Sequence, residues 1–433
     1  MVSLFLLAKI AWRNLWRNSR RTLLTALALG LGLALLLVAL GLREGAHEQM
    51  ITNGVRLGGG HVVVQAPGYQ ETRAQELLLP GWVVSATTEV LHSDAMPHPL
   101  QGMSPRLLAF GLLSSATNAA GVGIVGVIPE AEQQVSLVAQ RIVTGGYFSD
   151  GQLSGVVIGA ELARKLEVQV GAKVVLMAQG MRPLDADTAG PEGTEEGEIQ
   201  SALFRVVGIF RTGLPAVDTY VIHLPLPAVQ SLLGAEDQVT QVAVVLEQED
   251  DTPVVASRLR ERLATTPVEV LTWQESMTEL VQVVRLRRAF NYVMFGIILT
   301  MVGLGLLNTM LMAVLERRYE FGICAALGLQ PRQLAGIILC ESLALTVISL
   351  ALGLVLGLSI HYFFATRGLD LRWFTDVNLS AAGTVFDPVM YSRLSPARTA
   401  WSVAIVFLIA VTMSLYPAFK AARTELPEAL RIS

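Results

Sequence analysis

The segment Glu316-Arg317-Arg318-Tyr319-Glu320-Phe321-Gly322-Ile323-Cys324-Ala325-Ala326-Leu327-Gly328-Leu329-Gln330-Pro331-Arg332-Gln333 stands between two apolar runs. Before it, Phe290 to Leu315 carries no charge; after it, a second run starts at Leu334. A bilayer span takes roughly 20 predominantly apolar residues, so each run is long enough to cross. The piece between them is too short to be a domain. It reads as a short amphipathic helix, 316–333, lying on one membrane face between two spans. A helix fixed in that way transmits a push from a soluble partner into both.

Bulk properties agree. Of 433 residues, 52% are apolar and only 16% charged, and the mean hydropathy is +0.51. That is membrane composition. A net charge of −4 argues against a nucleic-acid partner. The two cysteines, Cys324 and Cys340, both fall in or beside the apolar C-terminal half, so no disulfide framework holds the long middle region.

Working toward the N-terminus, 22–42 is free of charge. A cleaved signal peptide has a shorter apolar core, and Arg43 and Glu44 stand where a small-x-small site belongs. We read an uncleaved first span. In the preceding segment, 1–21, Lys9, Arg13 and Arg17 recur every fourth residue beside Arg20 and Arg21, while Phe5, Ala8, Trp12, Leu15 and Trp16 take another stripe. A basic face and a tryptophan face suit a helix lying in the interface, with Lys9, Trp12, Arg13, Trp16 and Arg17 at the lipid headgroups. The alternative is an ordinary basic flank. The five cations before the span place the N-terminus in the cytoplasm.

The middle, 43–288, is different material. His61–Gln65, Gly155–Ile158, Lys173–Leu176, Phe204–Phe210, Tyr220–Ile222 and Gln241–Leu246 read as strands. Ala160–Leu166, Pro227–Leu233 and Val254–Ala264 read as helices. The region is therefore an α+β extracytoplasmic domain, expected in two lobes, with an acidic, Gly-rich mobile insert at 183–198. Met277–Arg288 leads helically into the second span, 289–315, where Arg285, Arg287 and Arg288 snorkel. The third span, 334–365, carries Glu341 near its start. An intramembrane carboxylate needs a partner, here a basic residue of the connecting helix, with a transport role as the alternative. Gly353 and Gly357 have the spacing that lets helices approach closely. A loop at 366–398, a fourth span at 399–419 and a basic tail at 420–433 complete a chain with both termini on one side.

Chemistry is marked by what is missing. The sequence holds no Gly-Lys dipeptide, hence no P-loop, and neither His-Glu-x-x-His nor Gly-x-Ser-x-Gly. His92, Asp94 and His98 cluster beside Pro97 and Pro99 in a loop, a weak metal constellation, and His47 and His61 read as surface groups. We therefore expect no catalytic residue, no metal and no cofactor in this chain.

At this point the residues resemble a family. Glu316 to Ile323 followed by Ala326-Leu327-Gly328 resembles the connecting segment of ABC-transporter permeases of the MacB/FtsX type. Tyr416 to Arg423 followed by Pro427-Glu428-Ala429-Leu430-Arg431 resembles their C-terminal signature, and Trp12-Arg13-Asn14-Leu15 and Arg20-Arg21-Thr22 also fit. The order of one span, a large outer domain and three spans is similar too. Within the superfamily, three stretches resemble the lipoprotein-releasing branch. They are Gly60 to Tyr69, Ile158 to Leu166 followed by Val170 to Val174, and Phe204 to Phe210 with Asp218 beyond.

The resemblance implies a multi-pass protein of the bacterial inner membrane with a periplasmic domain. It implies a partner cytoplasmic ABC ATPase that binds ATP and magnesium, and a second permease protomer, identical or a sibling. Glu316, Arg317, Arg318, Glu320, Gly322, Ala326, Leu327 and Gly328 would form the ATPase contact, with Leu327 filling an apolar groove. In the lipoprotein-releasing branch the cargo is an acylated lipoprotein, taken from membrane lipid and passed to a periplasmic chaperone. Leu33, Leu36, Leu37, Val293, Ile297 and Met301 are candidate cavity walls, with simple helix packing as the alternative. Exposing acyl chains costs ~0.8 kcal/mol per methylene, so extraction must be coupled to nucleotide. Two further readings are a MacB-like efflux or mechanotransmission permease and an FtsX-like signalling protein that activates a periplasmic cell-wall hydrolase.

Overall fold

The computed structural model describes residues 4–17, 19–93, 100–148, 151–180, 199–326, 328–371, 380–381, 384–385 and 389–422. The chain opens with α1 (Leu4–Arg17) and the long α2 (Ser19–Leu57). The inserted domain follows: β1 (Val62–Gln65), α3 (Gly81–Leu91), β2 (Leu100–Ser114), β3 (Ala119–Val127), α4 (Pro129–Val135), β4 (Ile142–Gly145), β5 (Gly155–Gly159) and α5 (Ala160–Lys165). It continues with β6 (Lys173–Gln179), β7 (Ile199–Phe210), α6 (Pro215–Tyr220), β8 (Val221–Pro225), α7 (Leu226–Leu233), β9 (Gln241–Leu246), α8 (Thr252–Arg262) and β10 (Glu269–Thr272). Four helical segments close the chain: α9 (Thr278–Glu316), α10 (Arg318–Ala326), α11 (Pro331–Arg367) and α12 (Pro396–Ala422).

Four of these helices, α2, α9, α11 and α12, are long and apolar enough to cross a membrane. The expected fold class is thus borne out: four candidate spans, with a large domain between the first and second. The chain divides into two compact units, one helical and one holding the sheet.

In the second unit ten strands form one sheet, ordered β10-β1-β9-β2-β3-β8-β5-β7-β4, with β6 pairing to both β2 and β7. Most neighbours run antiparallel; β3 with β8 and β5 with β7 run parallel. The two-lobed division expected from sequence puts no break in this sheet. Every residue of β1 and β9 is buried, because both faces of the sheet are covered. That is why these strands read as continuous Val/Ala runs instead of alternating. One core joins Val62 and Val64 to Leu107, Ile158, Leu176, Leu224, Val242 and Leu259.

β2 and β3 escaped the sequence reading. Pro105, Gly102, Gly111, Gly121 and Gly123 interrupt both, and such residues count against a strand. Pairing overrides them: Pro105 sits opposite Val242, and the hairpin runs in register from Arg106–Val127 to Ser114–Ala119. Asn118 N donates to Ser115 Oγ at 3.0 Å to close the turn.

His61 corrects an expectation. It is buried, not on the surface, and its Nδ1 accepts the Leu246 N–H at 3.0 Å. Burial lowers its pKa to about 4. Gly159 and Asp218, from two of the stretches that carry the branch resemblance, meet in one structural knot. Asp218 accepts from Thr212 N at 2.8 Å, Thr212 Oγ1 at 2.7 Å and Gly213 N at 3.0 Å. A Cβ on Gly159 would lie 2.1 Å from the Asp218 carbonyl oxygen. Both therefore act in folding. The insert 183–198, and Asp94 with His98, lie outside the described residues; His92 Nδ1 is 2.9 Å from its own helix, at Thr88 O.

Where α2 leaves and α9 begins, Met50, Ile51 and Val55 pack on Trp273, Leu280 and Val284. The helical lead expected before the second span is present, whereas the first helix continues past Leu42 to Leu57, which the sequence reading stopped short of. Arg106 ties this base together. Its Nη2 and Nε donate to Glu132 Oε1 and Oε2 at 2.8 and 3.1 Å, and its Nη1 donates to the Gly58 carbonyl. Burial pushes the Glu132 carboxyl up, but the Arg106 charge and then His223 bring it below the ordinary range. His223 shares a 2.9 Å hydrogen bond with the Tyr147 hydroxyl, and burial lowers its pKa to about 4. A cavity of about 260 Å³ opens beside Gly58, Arg106, Glu132, His223, Gln241 and Ser276.

Candidate functional site

The segment between the second and third spans is narrower than its sequence suggested. α9 ends at Glu316, Arg317 forms a single-residue joint, and α10 is nine residues long. Gly328 has φ +93°, a left-handed conformation that glycine adopts freely and that ends the helix. Gln330 then caps α11: its N–H donates to Gln333 Oε1 at 2.9 Å, with Pro331 at the first helical position. The single helix expected over 316–333 is thus a short helix and a capped turn. Leu327 lies outside the described residues.

Around the joint, charges face inward. Arg317 is buried, and its Nη1 donates to Glu341 Oε1 at 2.9 Å and Oε2 at 3.1 Å. The expected pairing of Glu341 with a basic residue of the connecting segment is therefore present. Arg317 Nε lies 3.2 Å from Glu320 Oε2, and the other oxygen of Glu320 meets Arg17 Nη2 at the end of α1. This corrects the expectation that Arg317 faces a partner, since Arg317 is enclosed; Glu320 pairs on both sides within the chain and keeps 46% of its side-chain surface exposed. Among the described side chains of α10, Tyr319, Ile323 and Ala326 are exposed, with Gly322 buried behind them. Their spacing of four and three puts all three on one helix face, an apolar outward stripe. The sequence reading missed it because the eye follows the charges; the periodicity was available.

Of the stripes read from sequence on α1, the basic one and the two tryptophans face outward, Leu15 turns inward, and the side chains of Phe5 and Ala8 lie outside the described ones. Lys9, Trp12, Arg13, Trp16 and Arg17 are exposed, and the Trp12 and Trp16 rings meet edge to face at 6.1 Å. Ala11 and Leu15 are buried, and α1 packs along α11. Thr22 Oγ1 donates to Leu15 O at 2.7 Å, closing the end of the helix. In the bundle, a Cβ on Gly353 would lie 2.6 Å from the Gly30 carbonyl oxygen, and one on Gly357 would lie 3.1 Å from Ala34 Cα. The small-residue spacing therefore lets α11 touch α2 backbone to backbone.

The candidate wall residues separate. Leu33, Leu36 and Leu37 are at most 2% exposed and pack with Leu350, Val406 and the inner face of α9. The close α2–α11 approach turns them inward, so they are packing residues and not an open wall. Val293, Ile297 and Met301 are 61%, 49% and 69% exposed. On α2, Leu31 and Leu35 face outward, as do Leu23 and Leu24 nearer its start. At the other end of the bundle, Glu44 meets Arg398 Nη1 at 3.1 Å, Glu48 pairs with Arg393, and His361 Nδ1 lies 2.7 Å from Ser392 Oγ. The loop before α12 is thereby fastened to α2 and α11.

Comparison with known proteins bears on both halves. Residues 22–262 match the model of the MacB-like periplasmic core domain, and residues 292–426 match that of the FtsX-like permease C-terminal region. The lipoprotein-releasing system transmembrane protein LolC of Xylella fastidiosa is 26% identical over 319 residues, 71% of this chain and 72% of that one. LolE of Haemophilus influenzae is 21% identical, covering 93% of this chain and 92% of its own. The macrolide export ATP-binding/permease protein MacB of Agrobacterium fabrum is 23% identical over 98% of this chain and 60% of its own length. Among solved structures, the periplasmic region of MacB from Actinobacillus actinomycetemcomitans covers 54% of this chain at 11% identity, with a TM-score of 0.35.

Proposed function

We propose a function on one premise: the chain belongs to the MacB/FtsX family of ABC-transporter permeases. Within that family we assign it to lipoprotein release. It is the transmembrane subunit of a complex in which a separate ATPase holds ATP and magnesium. The complex draws an acylated lipoprotein from the outer leaflet of the inner membrane and hands it to a periplasmic carrier. The observation that carries this reading is the alignment with LolC and LolE, which for LolE runs through domain and spans together.

The chain supplies the lever and the walls. The stripe Tyr319, Ile323 and Ala326 docks on the ATPase, with Leu327 and Gly328 closing the contact; Glu316 and Arg318 set its orientation. The segment then lies in the cytoplasm with both termini, and α1 rests on lipid headgroups through its cations and tryptophans. Two protomers face each other across the exposed sides of the first two spans. Leu31, Leu35, Val293, Ile297 and Met301 meet the acyl chains there, in an apolar cleft lined without charge. The MacB match over nearly the whole chain supports a second reading, in which the cargo is not acylated.

The test is stimulated hydrolysis. In a nanodisc complex of this chain with its ATPase, a diacylated lipopeptide is expected to raise the hydrolysis rate several-fold, and the same peptide without acyl chains to leave it unchanged. Equal responses to both would overturn the lipoprotein assignment in favour of the second reading.

A further inference from the structure

Four ionised side chains stand in series where the three elements meet. Arg17 ends α1, Glu320 lies on α10, Arg317 is the joint between α9 and α10, and Glu341 lies inside α11. The series has two unlike ends. Arg17 and Glu320 have 53% and 46% of their side-chain surface exposed, and water and salt screen such a pair. Arg317 and Glu341 are 10% and 20% exposed, and both carboxylate oxygens receive the same guanidinium nitrogen. Glu341 sits ten residues into its helix, about 15 Å along it at 1.5 Å per residue. For holding helices together an apolar pair would serve as well or better. What the ionic pair adds is direction, because a guanidinium and a carboxylate hold one geometry.

We propose that Arg317 is a positioning residue that locks the joint of α9 and α10 to α11 through Glu341, so that a displacement of α10 moves both spans together. The exposed link from Glu320 to Arg17 is the one that opens and closes. The inference rests on the permease reading above for the source of the displacement. The lock itself is a property of this chain.

The test measures the spacing of the α9–α10 joint and α11. Cys324→Ser and Cys340→Ser remove the native thiols, and Leu315→Cys beside the joint and Leu343→Cys on α11, both exposed sites off the stripe, take nitroxide labels. Distance distributions are recorded by electron spin resonance on the chain in nanodiscs, alone and with its ATPase in nucleotide-free and vanadate-trapped states. The lock predicts one narrow distribution that is the same in all three. Glu341→Gln should broaden it at least twofold, and Arg317→Glu combined with Glu341→Arg should restore the narrow form, which replacement of mere side-chain volume does not do. An unchanged width in Glu341→Gln, or a parent distribution that shifts with nucleotide, overturns the lock. Loss of ATPase binding by the parent chain would count against the permease reading and leave the width in the chain alone to decide the lock.

Discussion

Glu341 shows how much one residue says in the sequence and how much it withholds. A carboxylate in an apolar run announces that it needs a cation, and that much was legible. Which of Arg317, Arg318 or Arg332 answers was not, because neighbouring charges look alike until a helix joint turns one of them inward. Histidine misled in the opposite direction. His61, at the start of a strand and just after three glycines, reads as a surface group, yet pairing of β1 with β9 buries it. The buried histidines carry a pH prediction. His61 and His223 are held near 4, below the unfolded value of about 6.5. The unfolded chain therefore binds more protons between those values, so their contribution is whole above about pH 6.5 and is lost as pH falls toward 4. Thermal unfolding in nanodiscs should show the domain weakened by roughly 2 kcal/mol per histidine on going from pH 7 to pH 5. His223→Phe should flatten part of that slope; an identical slope would contradict it. Glu132→Gln strips the buried Arg106 of its counter-charge and should cost about 3–5 kcal/mol at pH 7 by the same measurement.

At the scale of elements, the spans were legible and the glycine-broken strands were not. Hydropathy over a long run overwhelms local detail, so α2, α9, α11 and α12 lie where the apolar runs said. β2 and β3 owe their existence to partners far along the chain, which no local pattern reports. The α2–α11 contact gives a sharp substitution test. Gly353→Val must displace the Gly30 backbone and should cost about 1–3 kcal/mol of bundle stability. Gly296→Ala has nothing within 4 Å of the added carbon. It should be neutral or slightly stabilising, by up to about 1 kcal/mol. Equal effects of the two would contradict the close approach. On α10, Ile323→Asp puts a charge in the middle of the apolar stripe. It should cut ATPase co-purification at least tenfold while the chain keeps its thermal transition; undiminished recovery would remove the stripe from the interface.

At the scale of the molecule, the architecture is a folded domain spliced into a helix bundle between the first and second spans. The sequence carried that plan plainly, since composition changes abruptly at Arg43 and again before Phe290. It carried the site less well. Arg317 and Glu320 of the connecting segment turn out to knit α1, α9, α10 and α11 to each other, and the exposed side chains described on α10 form an apolar stripe. On the function proposed above, such a permease presents a stripe to its ATPase, a lock behind the stripe and an uncharged outer side along its first two spans. In the proposed function, acylated protein occupies that outer side until nucleotide displaces it. The direct measurement is mass spectrometry of what the nanodisc complex of chain and ATPase retains, before and after ATP. The account predicts acylated lipoproteins bound without ATP and released with it. A complex that hydrolyses ATP yet never carries an acylated protein would contradict it.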